Sequence, residues 1–281
     1  MLPSGLYAVK VLYTKGRSVA WLVRTGGESP NVGLRMLFYH RVTPERDPLG
    51  VSPKRFRAQM EHLAREGWRA ADVVEAAGQL SHGGPPDRII GLSFDDGYSD
   101  VVEHAVPVLE ELGFTASVFV VPGVLDGEVD FDWYDRVPPM MSWDDVIELD
   151  GDSPLRFEAH SITHPNLLTL GDDAARREIA GSKEALEERL GRPVEAFAYP
   201  AGLFGAREVG FVEEAGFKIA VSTEPGLNDS GTNPLALRRT QIEHSDSLLD
   251  FRAKMGSGHD ALLPLRALHR RLRYGATPGI F

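Results

Sequence analysis

Short, almost wholly apolar runs recur along the chain, separated by stretches with helical spacing. Arg35–Tyr39, Arg88–Phe94, Thr115–Val121, Leu155–Ala159, Ala196–Tyr199 and Lys218–Ser222 are dense in Val, Ile, Leu, Phe and Ala. They show little polar alternation, as expected of parallel strands buried on both faces. Leu235–Ile242 is a seventh, weaker run. Between them, Pro53–Gly67 reads as a helix with Ser52 as N-cap, Pro53 as first residue and Gly67 as stop. Ser99–Gly113 sets Val102, Val106, Leu109 and Leu112 at helical spacing, and Asp172–Gly191 carries the stripe Ile179, Leu186 and Leu190. Arg207–Gly216 is a shorter helix. This strand–helix order predicts an α/β fold with a parallel sheet or barrel. Residues 1–33 read as an N-terminal extension ending in a loop that contains Gly26, Gly27, Ser29, Pro30, Asn31 and Gly33. Residues 34–256 read as the main domain. In residues 257–281, a basic tail, Arg266, His269, Arg270, Arg271 and Arg273 alternate with leucines.

Composition narrows the function. The 281 residues carry a net charge of −11, so nucleic-acid phosphates would be repelled and no nucleic-acid partner is expected. Cysteine is absent, which removes disulfides, thiolate nucleophiles and thiolate metal ligands. Any metal must be held by the 9 His and the carboxylates. Lys10, Lys15 and Arg17 interrupt the N-terminus, so it lacks the apolar core of a signal peptide, and no apolar run reaches the ~20 residues of a membrane span. A cytoplasmic protein is expected.

Three motifs carry chemistry, each just past a predicted strand. Ser93-Phe94-Asp95-Asp96-Gly97 sets two adjacent carboxylates at a strand's C-terminal end, where barrel enzymes keep their active sites. A metal could hold one while the other stays free as a base; the alternative is a tight Asp-Gly turn capping the next helix. His160-Ser161-Ile162-Thr163-His164 offers two imidazoles that meet one ion if the segment makes a helical turn; the alternative is a polar loop. With Asp96 they give two imidazoles and a carboxylate, the donor set of catalytic zinc with an open position for water. Phe197-Ala198-Tyr199-Pro200-Ala201-Gly202 could present the Ala201 N–H as an oxyanion donor, or be an ordinary βα loop.

In combination and order, these motifs resemble those of the NodB-homology polysaccharide deacetylases, carbohydrate esterase family four, over about Leu34 to Gly256. The resemblance implies a distorted (β/α) barrel of about seven parallel strands. It also implies metal-dependent removal of N-acetyl groups from an aminosugar in a polysaccharide, oligosaccharide or precursor, releasing acetate. The ion would be divalent, zinc before cobalt, nickel or manganese. By the resemblance Asp95 is the catalytic base, while Asp96, His160 and His164 bind metal.

Two positions depart from the family pattern. Its third motif usually carries an Arg that orients the base; here Ala198 stands there. Its C-terminal Leu-x-His, source of the general acid, has no convincing copy, and His244 in Ile242-Glu243-His244-Ser245 matches poorly. Leu37-Phe38-Tyr39-His40 ends the first strand instead. That resembles the circularly permuted members that deacetylate poly-N-acetylglucosamine, and it implies His40 as general acid. Arg239 or Arg238 could supply the guanidinium from the last strand. Tyr199, Pro200 and Trp143 are expected at the substrate; Trp133 and Tyr134 are further candidates for stacking on a sugar. Two other readings are a non-catalytic sugar-binding module and an amidase for a non-sugar amide. The tail Leu262–Tyr274 is a candidate for peripheral contact with anionic lipid, or else a helix packed on the barrel.

Overall fold

The computed structural model describes residues 4–27, 33–82 and 88–260, so the tail Leu262–Tyr274 and most of the 257–281 segment lie outside the described residues. One sheet contains β1 (Leu34–Tyr39), β2 (Arg69–Ala71), β3 (Ile89–Asp96), β4 (Ala116–Val120), β5 (Leu155–Ala159), β6 (Ala196–Ala198), β7 (Ile219–Val221), β8 (Leu227–Asn228) and β9 (Thr240–Gln241). Its main path runs β8-β1-β3-β4-β5-β6-β7 and is parallel except for the β8–β1 pair. β2 pairs with the first half of β3. The sheet is curled: Leu237 bridges to Val221 on β7, and β9 pairs in parallel with β1. One short segment therefore crosses from the last strand to the first.

Alternate residues of each strand serve two cores. Leu37, Leu92, Phe94, Val118, Phe157 and Phe197 point outward into the layer of helices. There they meet Phe56 and Met60 of α2 (Pro53–Arg65) and Leu109 of a later helix. Met36, Ile89, Phe119, Ala196, Ala198, Val221 and Leu237 point inward. Val73, Ala76 and Ala77 of α3 (Val73–Gly78) close that interior at the strands' N-terminal end. Alanines at 196 and 198 suit the narrow space inside a small barrel. Period-two burial on both sides explains why these strands lack polar alternation.

The remaining helices of five residues or more among those described are α1 (Ser4–Thr25), α4 (Asp100–His104), α5 (Val106–Leu112), α6 (Trp143–Leu149), α7 (Asp172–Leu190), α8 (Ala206–Glu214) and α9 (Leu248–Met255); Pro122–Leu125 adds a single turn. Several expectations are corrected. Ser99–Gly113 is two helices, because Pro107 lacks the N–H that a continuous helix needs and the chain breaks at Ala105. Ser52 makes no side-chain cap; its carbonyl instead accepts from the amides of Arg55 and Phe56. In Leu235–Ile242, Pro234–Ala236 is a 3₁₀ turn and only Thr240–Gln241 is strand. The stretch expected as an extension is largely the 22-residue helix α1, packed along α9. No helix among the described residues is long and apolar enough to cross a membrane.

Candidate active site

The three motifs meet at the C-terminal ends of β1, β3, β5 and β6. Ser93 and Asp95 follow the inward alternation of β3, so Asp96 would point outward if the strand continued. It does not: Asp96 has φ +76°, a left-handed conformation that turns it into the same space as Asp95. Both carboxylates are 3% exposed.

His160 and His164 do not lie on a helical turn, as the spacing had suggested. Left-handed Ser161 (φ +61°) and His164 (φ +57°) fold the segment back instead. Glu178 on α7 holds the loop, accepting from the amides of Ile162 (3.0 Å) and Thr163 (2.9 Å) and from the Thr163 hydroxyl (2.8 Å). Ser161 Oγ accepts from the His164 amide at 3.0 Å. Gly123 lies so close that a Cβ there would stand 2.8 Å from the Ile162 carbonyl oxygen.

One ligand atom from each of Asp96, His160 and His164 lies within 4.8 Å of the others. His160 Nδ1 lies 2.7 Å from the Ala198 carbonyl oxygen. A carbonyl only accepts, so Nδ1 carries the proton and the Nε2 lone pair faces Asp96 Oδ1, 3.5 Å away. His164 Nε2 is 3.7 Å from the same oxygen. That oxygen is buried without a hydrogen-bond partner, which normally costs stability. A divalent cation would satisfy it, and the three donors fit one. Burial alone would raise the Asp96 pKa. The imidazoles of His160, His40 and His164 around it outweigh burial and hold the carboxyl well below the usual carboxylate range. Burial and the neighbouring His160 push His164 down to about 4 against the pull of Asp96 and Asp95, so its ring is neutral near pH 7.

Asp95 does not share this cluster of donors. Arg239 grips it with Nη1 at 2.6 Å from Oδ1 and Nη2 at 2.8 Å from Oδ2. Arg239 also donates to Ser93 Oγ (2.9 Å) and the Ser222 carbonyl (3.0 Å), and its guanidinium lies over the Phe38 and Phe119 rings at 4.5 and 5.2 Å. It is wholly buried. The segment crossing from β7 to β1 delivers it into the barrel interior, opposite β3. Of the two arginines considered, Arg238 instead reaches the Leu227 carbonyl.

His40 follows Met36 and Phe38 on the inward face of β1, half-buried, with Nδ1 lacking a partner and the ring 5.7 Å from that of Phe38. His244 is turned elsewhere, its Nδ1 against the Gly50 carbonyl. Ala201 is exposed at a left-handed corner (φ +52°) of the turn Pro200–Gly202. Gly202 is required there: with φ +64°, a Cβ would meet Thr223 Oγ1 at 2.2 Å.

Two expected substrate contacts are corrected. Tyr199 is fully buried; its hydroxyl donates to the Leu235 carbonyl and its ring stacks on Phe204 at 4.2 Å, so it supports the loop from below with buried Pro200. Trp143 packs in the outer core, its indole N–H bonded to Asp126 and Arg189 over its ring. Trp133 is the tryptophan beside the site, 5.2 Å from the His164 ring and stacked on Phe131 at 4.3 Å. Its wall was not foreseen: Arg41 binds Asp100 (2.7 Å) and Asp47 (2.6 Å), and Tyr134 donates to Asp47 at 3.0 Å, tying this aromatic loop to the end of β1. Tyr98, directly after Gly97, was the one available signal; it is buried beneath the Arg41 guanidinium.

Residues 82–220 match the polysaccharide deacetylase family. The chain is 27% identical over 236 residues to the Bacillus subtilis (strain 168) protein YxkH, covering 84% of this chain and 79% of that one. It is 22% identical over 221 residues to the poly-beta-1,6-N-acetyl-D-glucosamine N-deacetylase of Staphylococcus aureus (strain MRSA252), covering 74% of each. The fold matches that of the Streptococcus pyogenes deacetylase PplD with a TM-score of 0.69 at 23% identity, over 80% of this chain and 98% of that one.

Proposed function

We propose that the chain, whose residues 82–220 match the polysaccharide deacetylase family, hydrolyses the acetamide of N-acetylglucosamine units in a β-linked glycan or its precursor. The observation that carries this is the division of labour between adjacent carboxylates: Asp96 stands among two histidines, while Asp95 is clamped by buried Arg239. Zinc suits the donor set of Asp96, His160 and His164. Bound there, it would acidify a water and polarise the acetamide carbonyl.

The chain's own groups do the rest. Asp95 accepts the proton of the attacking water; each of its oxygens keeps a lone pair beyond the bond to Arg239. General-base help of this kind contributes ~10²–10⁴-fold. Water's oxygen adds to the carbonyl carbon, and the C–N bond then breaks. His40 gives a proton to the departing amine, and acetate and a free amino sugar result. On this reading the Ala201 amide stabilises the oxyanion and Trp133, beside His164, stacks on a sugar ring. The non-catalytic reading drew on the missing arginine of the third motif; Arg239 answers it, since a pure binding site has no use for an oriented base. The S. aureus relative's named substrate favours a β-1,6-linked aminosugar polymer.

The test is acetate release by zinc-loaded protein from β-1,6-linked N-acetylglucosamine oligomers, with metal content measured in parallel. His164→Ala should lose both the ion and turnover. A variant that keeps one stoichiometric ion and full activity overturns the ligand set; metal-replete wild type that releases no acetate from any aminosugar overturns the function.

A further inference from the structure

One side chain, Arg41, fastens three segments that build the candidate site. It follows His40 directly, where Arg41–Val42 pairs in parallel with Gly50–Val51. The connection between these two strands is tight: a Cβ at Gly50 would stand 2.5 Å from Thr43 Cγ2 and 3.2 Å from Asp47 Cβ. Asp47 Oδ1 accepts from the Leu49 amide at 2.7 Å, which fixes the carboxylate as a post. Arg41 is 3% exposed and donates from Nη1 to Asp47 Oδ2 (2.6 Å) and from Nε to Asp100 Oδ2 (2.7 Å). Asp100 opens α4, just past Asp95 and Asp96, and its Oδ1 accepts from the Val42 amide at 3.3 Å. The third segment comes in through Tyr134, whose hydroxyl donates to the same Asp47 oxygen at 3.0 Å.

Residues 131–134 form neither helix nor strand, so no backbone ladder holds them. Side chains do. Phe131 and Tyr134 pack on the Tyr98 ring at 6.0 and 6.2 Å, and the Arg41 guanidinium lies over that ring at 5.5 Å. Trp133 stacks on Phe131 at 4.3 Å and is thereby carried to within 5.2 Å of the His164 ring. Burying one guanidinium with two carboxylates costs desolvation that apolar residues would avoid. Neither Asp47 nor Asp100 belongs to the cluster of metal donors, so the chemistry does not call for them. What they secure is position. We propose that Arg41 is a positioning residue: through Asp47 and Tyr134 it holds Trp133 where a sugar ring of the substrate stacks. It thereby sets affinity for the glycan without touching the reacting atoms. This rests on the deacetylase reading above, in which Trp133 meets the sugar. Tyr134 is then an anchor, its hydroxyl turned to Asp47, and not a second stacking platform.

The experiment is steady-state acetate release from β-1,6-linked N-acetylglucosamine oligomers by zinc-loaded wild type, Tyr134→Phe, Trp133→Ala and the double variant. Tyr134→Phe deletes one hydroxyl and keeps the ring, so the fold survives it. It should raise KM by about fivefold, the effect of one lost hydrogen bond, with kcat and zinc content unchanged. Added to Trp133→Ala it should raise KM no further, because the hydroxyl acts through the indole. Arg41→Lys keeps the charge without the fork and should raise KM in the same way. An unchanged KM in Tyr134→Phe or Trp133→Ala, a loss confined to kcat, or effects that add in the double variant overturn the proposal. A second readout needs no turnover. The Trp133 emission, isolated in each background by subtracting the matching Trp133→Phe protein, should be quenched more steeply by acrylamide in Tyr134→Phe than in wild type. Equal quenching overturns the positioning whether or not acetate is released. Absent turnover with steeper quenching overturns the deacetylase reading and leaves Arg41 as the residue that positions Trp133.

Discussion

The buried Arg239–Asp95 pair makes the sharpest claim on stability. Arg239 is 0% exposed and Asp95 3%, so neither charge has water to fall back on. Arg239→Met removes both bonds to Asp95 and leaves its carboxylate inside the barrel, which costs about 3–5 kcal/mol. Loss of the bond to the Ser222 carbonyl acts in the same direction. The melting temperature should fall by roughly 6–20 °C, at about 2–4 °C per kcal/mol for a chain of this size. Asp95→Asn should cost less, because the guanidinium keeps Ser93 Oγ, the Ser222 carbonyl and the Phe38 and Phe119 faces. The double variant Arg239→Met/Asp95→Leu carries neither charge and should recover much of the loss. Urea unfolding of wild type, Arg239→Met, Asp95→Leu and the double variant closes the cycle, with a coupling of about 2 kcal/mol or more expected. Arg239→Lys keeps the charge without the fork and should fall between. Acetate release should drop by about 10²–10⁴-fold in Asp95→Asn with the metal retained. Single-variant losses that simply add, or an Arg239→Met within 1 kcal/mol of wild type on the scale typical of surface changes, would refute the clamp.

Two further outcomes are expected. His40→Ala should slow acetate release while leaving metal content unchanged; equal turnover, or loss of the ion, removes His40 as the acid. His259 is pushed down to about 4 by burial first and then by Lys254 and Arg17, so it is neutral when folded near pH 6 while the unfolded chain binds a proton. Stability from this residue is therefore complete above about pH 6.5 and lost as pH falls towards 4, on the order of 2–3 kcal/mol. His259→Asn should flatten that part of the stability-versus-pH curve, and an unchanged slope in the variant would show that other groups set it.

Strand positions were legible because both faces of a curled parallel sheet are buried, and continuous apolar runs report that directly. The donors Asp96, His160 and His164 were legible as residue types just past strand ends. Their geometry was not. The His-x₃-His spacing suggested a helical turn, whereas two left-handed residues bring the rings to 4.7 Å. Trp143 and Trp133 looked alike as aromatics after a strand; only the path of the loop sends one to the core and the other to His164. Arg239 lies 144 residues from Asp95, and no local pattern announces which inward position faces which across a barrel.

Backbone strain ties these failures together. Six non-glycine residues among those described have positive φ, and Asp96, Ser161, His164 and Ala201 stand together at this one end of the sheet. Each such residue costs about 1 kcal/mol or more, which local propensity would avoid. They persist because the surroundings over-determine them. Glu178 fixes the histidine loop with three hydrogen bonds. The Ala198 carbonyl fixes the His160 ring, and Gly202 leaves room for Thr223. Sequence patterns record average preferences, so they fail where the fold overrides preference. The three side chains are consequently held in place by the fold, so an ion bound among them would not have to order the loop.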